Sequence, residues 1–175
     1  ALLRPDEKQP FQVRLFNNRG QFLRVALAEE VELKLAGPGQ VDDQGVYTVS
    51  QDTGHANATI TAKVGSLTGR SRVRIIPAIP WHFDFENLKE PPISWVGARY
   101  RHVLRNVDGN QVMVKVTTIP KGTRSRSWFG HSDLHDYTIQ ADVMGGEKAG
   151  KMPDIGLIAQ GYTLDLKGAH QELQV

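Results

Sequence analysis

Val73-Arg-Ile-Ile-Pro-Ala-Ile-Pro-Trp-His-Phe-Asp-Phe-Glu86 decides the architecture of this 175-residue chain. Val73 and Ile75 flank Arg74 in the alternation of a half-buried strand. Pro77 and Pro80 then interrupt pairing, because proline has no backbone N–H to give to a ladder. A second alternating run, Trp81, Phe83 and Phe85, begins at once. Two β segments joined by a short Pro-x-x-Pro spacer predict a modular chain rather than one compact enzyme.

Upstream of this seam, residues 1–10 are polar with two prolines and read as a linker. Phe11, Val13 and Leu15 alternate with Gln12 and Arg14, so a strand is expected there. Asn17-Asn-Arg-Gly20 supplies residues that tolerate positive φ, predicting a turn. Phe22 to Leu35 supports two readings. Leu23, Leu27, Val31 and Leu35 lie at helical spacing, whereas Val31, Leu33 and Leu35 alternate with Glu32 and Lys34. The β context favours two strands joined at Ala28–Glu30. Gly37-Pro-Gly39 and Asp42-Asp-Gln-Gly45 are turn clusters, with strands expected at Val46–Val49, Ala58–Val64 and Arg70–Ile76.

Downstream, strands are expected at Trp81–Phe85, Tyr100–Asn106, Gln111–Thr117, Tyr137–Met144, Asp154–Ala159 and Tyr162–Leu166. Asp108-Gly109 suits a type I′ hairpin, which needs positive φ at both central residues. Gln171–Val175 alternates like a strand just begun. So few strands would leave long open edges, so the downstream module is expected to be cut short at its C-terminus or completed by a partner strand. The first residue is Ala rather than Met, which suggests a processed or excised piece.

Composition narrows the function classes. A formal charge of +2 with interspersed signs argues against a dedicated nucleic-acid binder. The absence of Cys excludes disulfides, thiolate metal sites and a Cys nucleophile. No apolar run approaches the ~18 residues that a membrane-spanning helix requires. No phosphate-binding glycine loop, serine elbow or dinucleotide fingerprint is present. Asn57-Ala-Thr59 has the form of a glycosylation sequon only.

Several motifs carry a resemblance. Phe16-Asn-Asn-Arg-Gly20, Leu35-Ala-Gly-Pro-Gly39, Asp42-Asp-Gln-Gly-Val-Tyr47 and Thr61-Ala-Lys-Val-Gly65, closed by the Val/Arg strand Arg72–Ile76, resemble bacterial immunoglobulin-like domains. Trp81-His-Phe-Asp-Phe-Glu86, Tyr137-Thr-Ile-Gln-Ala-Asp-Val143 and Ile155-Gly-Leu-Ile158 resemble the first half of a concanavalin-like, laminin-G-type jelly roll. The pair is similar to the tail of bacterial proteins with pyrroloquinoline-quinone-type propeller repeats. The resemblance implies an all-β fold of two β-sandwich modules in tandem. The expected layout is a linker at 1–10, an immunoglobulin-like sandwich at 11–77, a linker at 78–80 and a partial concanavalin-like sandwich at 81–175. It implies a periplasmic, secreted or cell-surface protein in which these modules, beside neighbouring domains of a larger parent, serve spacing, adhesion or glycan contact without catalysis.

The alternative is a fragment of a carbohydrate-active hydrolase whose catalytic carboxylates lie outside this chain. Hydrolases of the concanavalin-like class carry Glu-x-Asp-x-x-Glu, which neither Asp84-Phe-Glu86 nor the surroundings of Asp165 reproduce. Asp84 and Glu86, two apart on an expected strand, would face the same way. They are candidate ligands of a structural Ca²⁺, which takes carboxylate oxygens, although ordinary solvated charge accounts for them too. No other cofactor is indicated. His131-Ser-Asp-Leu-His-Asp136 gathers two imidazoles and two carboxylates, but beside Gly130 it reads as a loop. Lys121-Gly-Thr-Arg-Ser-Arg-Ser-Trp128 and Trp95 with Arg99-Tyr-Arg101 combine cations with aromatics. Guanidinium forks and an indole face can hold a sugar ring or an anionic polymer. Trp95, Arg124, Arg126 and Trp128 are therefore the candidate ligand-binding residues, against the reading that the rings are core and the arginines merely cover them.

Overall fold

The computed structural model describes residues 1–116, 125–147, 149–168 and 172–174. The fold is all-β, with one short α-helix among the described residues. It divides into two compact units, Ala1–His131 and Ser132–Val175.

The first unit runs β1 (Leu2–Leu3), β2 (Lys8–Pro10), β3 (Arg14–Phe16), β4 (Phe22–Val25), a 3₁₀ turn (Ala28–Glu30), β5 (Glu32–Ala36), β6 (Gln40–Val41), β7 (Val46–Thr48), β8 (Ala56–Val64) and β9 (Leu67–Ile75). Then follow α1 (Ala98–Arg101), β10 (His102–Val107) and β11 (Asn110–Lys115). One sheet has the order β1-β9-β8-β5 and another β2-β7-β6, with β3-β4 and β10-β11 as separate ribbons. The long hairpin β8-β9 holds its register from Val64↔Leu67 to Ala56↔Ile75. On its inner face Ala58, Ile60, Val73 and Ile75 are buried, and they join Leu3, Tyr47 and Val49 in one core. That core draws on both sheets. Each fully buried Val or Ile contributes about 1.5–3 kcal/mol relative to exposure, while Arg72 and Arg74 alternate outward as the pattern requires.

The ambiguous stretch settles as two strands. Glu30 turns the chain between β4 and β5: its carboxylate accepts from the Leu27 amide at 2.9 Å and pairs with Arg24 at 2.6 and 2.8 Å. β4 then joins β3 and β5 joins β8, so the two runs serve different sheets. The turn before β7 is built by Asp42, whose Oδ1 accepts from the amides of Gln44 and Val46. Tyr47 then drops its ring into the core and donates its hydroxyl to the Pro38 carbonyl. Gly39 lies against that ring at φ +102°; a Cβ there would meet Thr48 O at 2.5 Å and the Tyr47 ring at 2.8 Å. The β10-β11 hairpin has positive φ at both Asp108 and Gly109, the type I′ geometry its sequence predicts.

The second unit contains β12 (Ile155–Ala159), β13 (Tyr162–Lys167) and β14 (Glu172–Gln174) in that order. Register sets Ile155 opposite Leu166, Leu157 opposite Leu164, Ala159 opposite Tyr162 and Leu166 opposite Leu173. These residues share one face, because side chains directly opposite on paired strands lie on the same side. Tyr162 and Leu173 on that face are 76% and 65% exposed. No described residue of this unit is buried. The stretch 137–144, expected as a strand, forms none. Its alternation marks a preference for facing two ways, and pairing requires a neighbouring ladder as well.

Candidate functional site

Within the first unit, the segment after Pro80 packs beside β8 and β9 instead of entering a sheet. Residues 81–86 keep their alternation, with Trp81, Phe83 and Phe85 half-buried and His82, Asp84 and Glu86 exposed, but they form no strand. The rings engage His55, in the loop before β8: its centroid lies 5.2 Å from Trp81 and 4.9 Å from Phe83. Phe83 and Phe85 meet Trp95 edge-on at 5.0 and 5.9 Å, and Trp95 stacks on Phe129 at 4.5 Å. Edge-to-face and offset arrangements are those that the ring quadrupoles favour. Trp81 Nε1 donates to the Pro77 and Ala78 carbonyls at 3.1 and 3.0 Å, and Arg74 Nε donates to Ile93 O at 3.2 Å.

His55 Nδ1 lies 2.9 Å from Ser94 Oγ. A Ser–His contact is the first half of a nucleophile–base pair, but Ser94 is completely buried and no substrate carbon can reach it. The contact is a latch. Burial pushes the His55 imidazole below its ordinary pKa, since the charged ring would lose its hydration. Its Nε2, like Trp95 Nε1, is buried with no hydrogen-bond partner among the described residues. Sequence offered no signal for this latch, because its halves are 39 residues apart.

A cleft of about 280 Å³ opens beside the docked segment. Phe83, Phe85, Leu88, Pro92 and Ile93 form its apolar walls, and His82, Asp84, Asn87, Glu90 and Arg99 supply polar groups. Glu90 and Arg99 pair at 2.7 Å, and Arg99 Nε also donates to Pro91 O at 2.8 Å. The pairing follows from α1: Arg99 begins a helical turn rather than a strand, so it reaches back to residues 90–91 and does not share a strand face with Arg101. Phe85 sits at φ +65°, a conformation that bulky side chains rarely adopt. Gln111 holds it there, donating from Nε2 to the carbonyls of Phe85 and, at 2.8 Å, Leu88.

The two candidate calcium ligands flank this turn and engage different groups. Asp84 lines the cleft and accepts from the Glu86 amide at 3.2 Å, whereas Glu86 accepts from the Gln111 amide at 2.8 Å. Among the described residues no group of three or more His, Asp or Glu side chains is placed to hold a metal ion. In the second unit His135 Nδ1 contacts the neighbouring Asp136 at 2.7 Å with both side chains exposed, a solvated loop pair.

The candidate ligand residues divide as well. Val96 and Trp128 form a two-residue bridge, with amide–carbonyl distances of 2.7 and 2.9 Å. Trp95 and Phe129, adjacent to the bridge, stack together in the ring cluster, while Trp128 is 51% exposed. Arg126, two residues before Trp128, is exposed too, between half-buried Ser125 and Ser127. Arg124 lies outside the described residues. The structure thus brings Trp95, Arg126 and Trp128 into one neighbourhood and leaves two of them open to solvent. Among the described residues no helix is long and apolar enough to cross a membrane. No family model, curated protein or solved structure matches this chain.

Proposed function

We propose that this chain is an exported, non-catalytic pair of β-sandwich modules, used for spacing or adhesion, that contacts glycans through the Arg126–Trp128 face. The observation that carries the reading is Trp128: an indole half open to solvent beside an exposed arginine, held by a backbone bridge. An aromatic face presents a flat apolar surface to a sugar ring, and a guanidinium donates to its hydroxyls.

The immunoglobulin-like reading of the first module is supported by a core shared between two sheets and by Tyr47, whose hydroxyl bonds back to an upstream carbonyl, as the conserved tyrosine does at the corner of such sandwiches. The concanavalin-like reading of the second is supported by its antiparallel ladders. Its exposed apolar residues Tyr162 and Leu173, and the lack of buried residues among those described, support completion by a further layer from a neighbouring domain. The non-catalytic reading is supported by the Asp84 and Glu86 carboxylates, each of which accepts a backbone amide.

Glycan-array binding of the whole chain, repeated with Trp128→Ala, tests this function. Binding that falls about fivefold or more in the variant supports it, since an aromatic stacking contact is worth about 1 kcal/mol. No binding at millimolar sugar overturns it.

A further inference from the structure

The structure assigns a second ligand site to the cleft at residues 82–93, and we infer that it takes a single neutral pyranose ring. This rests on the glycan reading above but uses none of the residues of the Trp128 face. Three observations carry it. The volume, about 280 Å³, lies at the lower edge of the ~300–1,000 Å³ range of small-molecule clefts, room for one ring rather than a chain. The walls combine apolar surface, for the C–H face of a sugar, with Asp84, Asn87, Glu90 and Arg99, whose planar polar groups match vicinal hydroxyls. The charge selects against acids. Two carboxylates and one guanidinium line the cleft, and Arg99 is already paired with Glu90. Asp84 is left as the excess negative group, so a uronate or sulfated sugar is repelled.

Backbone geometry at the same place points the same way. Phe85 is held in a left-handed conformation by Gln111, a strained backbone that the rest of the fold must offset. The conformation places Asp84 in the cleft while Phe83 and Phe85 stay against Trp95.

The test is amide chemical-shift mapping on the whole chain with glucose, galactose, mannose, N-acetylglucosamine and glucuronate, each to tens of millimolar. Shifts at 82–93 and Arg99 with at least one neutral sugar, none there with glucuronate, and weakening of about tenfold in Asp84→Asn support the site, that loss matching one charge-assisted hydrogen bond. Asn keeps the oxygen that accepts from the Glu86 amide, so the variant removes the charge and leaves the turn. Trp128→Ala leaves the cleft shifts unchanged. Shifts confined to Arg126–Trp128 overturn the cleft site and leave the glycan reading standing. Silence at both places overturns both, and a glucuronate response in the cleft overturns the proposed selectivity.

Discussion

His55 ties together parts of the chain that sequence keeps far apart: the loop before β8, the rings at 81 and 83, and Ser94. Its pKa lies below the ordinary 6.5 because of burial. As pH falls through about 6.5 the unfolded chain takes up a proton that the folded chain refuses. Stability is therefore complete above that value and declines as pH falls toward the lower folded pKa. The thermal midpoint should drop on acidification from about pH 7.5 to 5, and His55→Gln should flatten that dependence. An equal slope in both proteins would sink the assignment. Gly39 makes a separate claim. Gly39→Ala adds a methyl against Thr48 O and the Tyr47 ring at a strained φ, costing about 2 kcal/mol or more, and calorimetry should show the midpoint lower by about 5 °C or more.

Among the elements, those with a regular period and a paired neighbour were legible in the sequence. β8, β9 and the β10-β11 hairpin lie where alternation and Asp-Gly put them, give or take a few residues. The seam segment shows why the rest was not. Trp81, Phe83 and Phe85 alternate because three rings face a protein surface, and that period is indistinguishable from a ladder's. Likewise Asp84 and Glu86 keep strand spacing but straddle a positive-φ residue, which turns them to different partners. Long-range contacts such as His55–Ser94 leave no local pattern at all. The β12-β13-β14 sheet yields its own prediction: its exposed apolar face should bind a hydrophobic dye in the native state. Tyr162→Glu with Leu173→Glu should lower that fluorescence by about half or more at unchanged circular dichroism. Fluorescence unaffected by the pair would show that the dye binds elsewhere.

For the molecule as a whole, the seam is less a hinge than a clasp. Residues 81–95 return to the sheet they have just left, so a chain ended after Pro80 should lose the rings on His55 and the Ser94 contact. Each aromatic contact is worth about 0.5–1.5 kcal/mol beyond area burial. Such a chain should melt about 10 °C below one ended at His131, as followed by circular dichroism; equal midpoints would show that the docked segment adds nothing. The neighbouring pair β1 and β9 has a mechanical consequence. The two strands run parallel, Leu2 beside Arg74 and Leu3 beside Ile75, with the Ala1 and Leu3 carbonyls accepting from the Arg74 and Ile76 amides at 2.9 Å. Tension entering before Leu2 and leaving after Ile76 pulls these strands past each other along their length. The bonds between them are then loaded together in shear instead of being unzipped one at a time, so the module resists stretching through its first three residues until these bonds fail together.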